Sequence, residues 1–182
     1  MNKDTNKEEE ENNLEPFIHE DSEFRTAFIG AIPEKILDTL PHQFDPKLIA
    51  TLVKQLTALD SLQIKDEVLH TLKADEAQAI LVAIIGMKEY ANQRKIIVAA
   101  CWESGLDFTN YFTFFNALAL NSEYAICMEA VTVITENMAG PFSKAELTQA
   151  QTVVDKAIQN ADERLALFNL LIDCLTTKLN SN

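Results

Sequence analysis

From Asp45 onward, apolar residues recur three and four positions apart in one segment after another, and nearly every segment opens on a residue suited to cap a helix. That spacing puts apolar side chains on one helix face. The repeated start signals leave little of the chain for anything else. The pattern predicts an all-helical fold with about nine helices and no sheet. Composition agrees: 47% of the 182 residues are hydrophobic, and only four Gly and five Pro occur, mostly between periodic segments. A chain of this length buries a substantial single core.

The punctuation is local and readable. Phe24, Phe28, Ala31 and Ile32 keep helical spacing, broken by Gly30 and Pro33. This predicts one helix ending near Ala31 and another over Pro33 to Leu40. Asp45-Pro46 is a start signal, an acidic N-cap followed by Pro in the first turn. Leu48, Leu52, Leu56 and Leu59 follow as a stripe, widened by Ile49 and Val53. Ser61 opens a segment with Leu62, Val68, Leu69 and Leu72, and Asp75 one with Ala77, Ile80, Leu81 and Ile84 that ends near Gly86. From Asn92, Ile96, Ile97, Ala100 and Cys101 are expected to pack, with Gly105 as a left-handed C-terminal cap. Asp107 is expected to cap a helix over Phe108 to Leu120, with Tyr111, Phe112, Phe114 and Phe115 as core aromatics. Ser122 is expected to cap a long helix aligning Cys127, Val131, Ile134 and Met138, ended by Gly140-Pro141. Ser143 and Glu146 form a capping box, and Phe142 with Leu147 a hydrophobic staple. Leu147, Ala150, Val154 and Ala157 align behind them. Asp162 caps the last helix, with Leu165, Phe168, Ile172, Leu175 and Leu179 in line.

The net charge is -13, and residues 1–23 carry -7 of it. Residues 1–15, with Glu8 to Glu11 in a row, have almost nothing to bury and are expected to form a disordered acidic tail. Residues 16–182 are expected to form a single all-helical domain. An acidic body repels phosphate and anionic lipid, so nucleic acid and membrane surfaces are poor partners. A basic protein partner suits it better. The start of the chain lacks a basic region followed by an apolar one, and the longest apolar run, Ala79 to Met87, is about half a bilayer span. Cys101, Cys127 and Cys174 lie in apolar stretches and form no Cys-x-x-Cys pair, so they read as reduced core thiols. These features point to a cytoplasmic protein.

The segments pair. Those starting near Asp75, Phe108 and Lys144 lead through short turns into those starting near Asn92, Ser122 and Asp162. The second helices begin 30 and then 40 residues apart, and helical hairpins at such periods characterise α-solenoids, with an irregular helical bundle as the alternative. The stretch Tyr90-Ala-Asn-Gln-Arg94-Lys-Ile-Ile-Val-Ala-Ala100-Cys-Trp-Glu-Ser-Gly105 resembles the second helix of a HEAT or armadillo-type repeat: a polar turn, an Arg, small residues and a glycine end. Ala161-Asp162-Glu163-Arg164 opens the last helix similarly, whereas Glu123 stands where the Arg would fall in the hairpin at Asn121. The resemblance covers residues 75–180. It implies a protein-binding scaffold.

No catalytic constellation rises from the sequence. Glu67-Val-Leu-His70 has the spacing of a di-iron ligand pair, but such sites need a second copy and two further carboxylates. Neither a Gly-rich phosphate loop nor a nucleophile elbow occurs. No catalytic, metal or cofactor residue is therefore assigned. The expectation is a non-enzymatic interaction or scaffold module. The alternatives are an enzyme or accessory subunit with a pocket between helices, and a helical regulator that dimerises. In a stacked arrangement the second helices line the concave side. Their non-core stripes are Lys95, Trp102 and Glu103; Glu129, Thr132 and Glu136; and Asn169, Asp173 and Thr176. Together they predict an acidic groove with one aromatic anchor for a basic protein segment.

Overall fold

A computed structural model describes residues 46–58 and 74–181. Seven α-helices lie there: α1 (Pro46–Ala58), α2 (Ala74–Gly86), α3 (Arg94–Glu103), α4 (Phe112–Asn121), α5 (Tyr124–Glu136), α6 (Lys144–Ile158) and α7 (Leu165–Ser181). Two short 3-10 segments, Lys88–Gln93 and Thr109–Tyr111, precede α3 and α4. No strand occurs among the described residues. The expected count of nine is thus seven here. The expected helices before Asp45 and from Ser61, and the expected acidic tail, lie outside the described residues.

The three expected hairpins form. α2 packs against α3, α4 against α5, and α6 against α7. The second helices also touch one another: α3 packs on α5, and α5 on α7. α4 contacts α6, and α1 leans on α3. α5 is therefore covered by three helices, which decides what its side chains can do.

The core follows the apolar spacing. Ile49, Leu52, Val53 and Leu56 are buried on α1. α2 buries Ile80 to Ile85 without interruption, so it is enclosed on all sides rather than amphipathic. Aromatic rings fill the second hairpin: Phe115 meets Phe108 and Phe114 edge-on, at 5.5 and 5.1 Å between centroids. Phe112 meets Phe142 at 4.9 Å, which ties α4 to the entry of α6.

Arginines tie helix ends together. Arg94 Nε donates to the carbonyl of Ile85 at 2.8 Å, joining the start of α3 to the end of α2. Arg164 donates to the carbonyls of Leu120 and Ser122 at 3.2 and 3.0 Å. It thereby links the start of α7 to the turn of the preceding hairpin. Each guanidinium meets carbonyls at or beside a helix C-terminus, where positive charge is favoured.

Several local expectations change. Ile96 and Leu165 were expected in the core but are 40% and 42% exposed. Both lie in the first turn of their helices. Ser122 does not cap α5: Glu123 holds the N-cap position, and no side chain caps it. The buried Ser122 hydroxyl has no hydrogen-bond partner. Asp107 does not cap an α-helix at Phe108: Phe108 holds the N-cap position of the 3-10 turn, and Asp107 Oδ1 accepts the Thr109 N–H at 2.8 Å. The capping box at Ser143 and Glu146 forms as expected, and Gly105 takes a φ of 65° at the end of α3.

Candidate functional site

The α3 helix ends in a left-handed turn because Gly105 tolerates positive φ. Its last turn carries Trp102, half-buried against the core. The α5 helix runs alongside and ends at Glu136. The turns that follow these two helices approach each other. Asn137 Oδ1 accepts the backbone N–H of Phe108 at 2.7 Å, and its Nδ2 donates to Val133 at 2.8 Å. Gln78 of α2 donates from its side-chain amide to the carbonyl of Asp107. A Cβ added at Gly140 would lie 2.2 Å from the Thr109 hydroxyl, so only glycine fits that approach without displacing Thr109.

Between these turns lies a pocket of about 350 Å³. Trp102, Asp107, Thr109, Glu136, Asn137 and Gly140 are among its walls. Among the described residues, none that lines it is basic. Hydrogen bonds from the Thr109 hydroxyl and backbone N–H hold the Asp107 carboxyl below its ordinary range, so it is ionised at neutral pH.

Below the rim, the indole Nε1 of Trp102 donates to Oε2 of Glu129 at 3.0 Å. Glu129 was expected on an open stripe, yet it is 7% exposed. The reason is the packing of α5, which α3, α4 and α7 cover on three sides.

The structure joins only part of the expected groove. Trp102 meets Glu129 directly and shares the pocket with Glu136, which is exposed. Lys95 is exposed in the first turn of α3, about two helical turns from Trp102, and does not line the pocket. Glu103 is half-buried and does not line the pocket. The half-buried Thr132 bonds back to the Met128 carbonyl at 3.0 Å. Thr176 accepts from Gln151 of α6 at 2.8 Å, so its hydroxyl braces the last hairpin. Asn169 and Asp173 are exposed and enter neither the pocket nor the Trp102 bond.

Sequence spacing missed Asp107, Thr109, Asn137 and Gly140 as site residues. They sit in turns about 30 residues apart, where helical periodicity says nothing. The available signal was that two second helices both end in glycine-bearing polar turns, and turns presented by a rigid scaffold often carry function.

The thiols lie elsewhere. Burial pushes Cys101 well above its ordinary range and Cys127 up to about 11. Both are therefore neutral and unreactive. Among the described residues, no group of three or more His, Cys, Asp or Glu could hold a metal ion. Glu67 and His70 lie outside the described residues. Among them, too, no helix is long and apolar enough to cross a membrane.

No protein-family model matches the chain, and neither a curated protein nor a solved structure matches it.

Proposed function

We propose that the chain is a non-enzymatic protein-interaction module, an α-solenoid of stacked HEAT-like hairpins that works in the cytoplasm and binds a basic protein segment. The observation that carries this reading is Trp102. It is a large aromatic side chain, half-buried and anchored by the buried Glu129 side chain, beside a pocket whose described lining residues include no base. Anchored aromatics of this kind dominate protein interfaces. The side-by-side packing of α3, α5 and α7 supports the solenoid reading, since stacked repeats contact their neighbours in this way. The net charge of -13 favours a cationic partner and speeds its encounter. For the rival enzyme reading, the buried thiols supply no nucleophile, because they are neutral and do not line the pocket.

The test uses the full chain and a series of immobilised peptides: basic with one apolar residue, the same with charges reversed, and neutral. Binding of the basic set alone, weakening with salt, is expected. Equal capture of all three sets, or of none, would overturn the reading.

A further inference from the structure

We propose that the pocket between the C-terminal ends of α3 and α5 receives a single arginine side chain of the partner protein. This rests on reading the chain as a protein-binding module and names the group that the module takes.

Four features converge on a cation. Both helices present their negative ends here: α3 stops at Glu103 and α5 at Glu136, and the turns after them line the pocket. Such ends favour positive charge. Asp107 and Glu136 add two carboxylates to the wall. Asp107 accepts the Thr109 N–H and hydroxyl, and an ionised carboxylate, with about four acceptor sites, has capacity beyond two bonds. The remaining feature is the ring of Trp102.

That ring also selects the kind of cation. An indole has a single donor, its Nε1–H, and Glu129 already accepts it. The ring therefore meets a ligand as a π-surface. A guanidinium is planar, stacks on such a surface and forks toward carboxylates, whereas an ammonium is a compact, strongly hydrated point charge. A volume of about 350 Å³ is at the small end of ligand pockets, so it suits one side chain rather than a nucleotide or a cofactor.

The probes are N-acetyl-arginine methylamide and its lysine and citrulline counterparts, citrulline being a near-isostere without the charge. Trp102 is the only tryptophan, so its indole N–H gives one resolved NMR signal. The arginine probe is expected to shift that signal saturably, the lysine probe more weakly, and the citrulline probe not at all. Glu136→Gln, at an exposed position, should weaken the arginine probe about fivefold. Equal shifts by arginine and citrulline, no shift by either, or an unchanged affinity in Glu136→Gln would overturn the assignment.

The two readings fail separately. If basic peptides bind while Trp102 stays silent and Glu136→Gln is neutral, the module reading stands and the pocket assignment falls. If the arginine probe behaves as expected but the three peptide sets are captured equally or not at all, the pocket takes a guanidinium and the module reading falls.

Discussion

Trp102 donates its indole N–H to Glu129 across the contact between α3 and α5, at 3.0 Å. The acceptor is 7% exposed. A buried carboxylate is costly unless bonded, so this pair joins the two helices at one polar point within an apolar contact. Hydrogen bonds involving a charged group contribute more than neutral ones. Glu129→Ala is expected to destabilise the chain by about 2 kcal/mol. Glu129→Gln keeps an acceptor oxygen and should lose under ~1 kcal/mol. Urea unfolding measures both. A smaller loss for Ala than for Gln would show that the bond contributes nothing.

Gly140 faces Thr109 at a distance that leaves no room for a methyl group. Thr109 cannot easily yield, because its branched Cβ stands close by and its N–H is bonded to Asp107 at 2.8 Å. Gly140→Ala should therefore cost about 1–3 kcal/mol by overpacking. Thr109→Gly removes the obstructing side chain. In a double-mutant cycle the pair should couple, with Gly140→Ala much cheaper in the Thr109→Gly background. Additive losses would mean that the penalty lies in the backbone at Gly140.

Arg164 joins two hairpins through the carbonyls of Leu120 and Ser122, and its guanidinium also lies 5.4 Å from the Phe168 ring. Its pairing with Asp162 at 3.1 Å is more exposed, and exposed pairs contribute little. Removing the carbonyl bonds matters more. Arg164→Ala is expected to cost about 2 kcal/mol, and Arg164→Lys at least half of that, since an ammonium does not reproduce the fork. Asp162→Asn should have the smallest effect of the three. Thermal unfolding orders the three variants, and a larger effect of Asp162→Asn than of Arg164→Lys would contradict the assignment.

Much of the fold was legible in the sequence because helices are local. Pro46, Gly86, Gly105 and Ser143 mark boundaries through their own backbone chemistry, and the structure uses them so. Stripes such as Leu52, Leu56 and Cys127, Val131, Ile134 are buried as spaced. What spacing leaves open is the rotation of one helix against another. Glu129 looked like a solvent stripe until α3, α4 and α7 closed over it. Ile96 and Leu165 fit an apolar stripe yet sit at helix starts, where they are 40% and 42% exposed. Trp102 and Glu136 were picked by helical position, but the turns that complete their pocket carry no periodic signal.

The start of α6 tests the one boundary where the sequence signal was complete. Ser143 Oγ accepts the Glu146 N–H at 3.2 Å, and Glu146 Oε2 accepts the Ser143 N–H at 2.9 Å and its hydroxyl at 2.6 Å. Ser143→Ala should cost about 1 kcal/mol at neutral pH. The hydroxyl and backbone N–H of Ser143 lower the Glu146 pKa from its ordinary 4.5. A carboxylate depressed on folding stabilises fully above its unfolded value, and that contribution is lost as pH falls through the folded value. Glu146→Gln keeps the reciprocal bonding without the charge, because glutamine also serves in a capping box. The parent chain should thus be the more stable of the two at neutral pH, by the few tenths of a kcal/mol that a first-turn acid contributes (~0.3–1). The difference should hold down to about pH 5 and shrink as pH falls below 4.5. Denaturant midpoints for the two chains across that window decide it. A gap that stays constant into acid would show that the Glu146 charge plays no part in holding the start of α6.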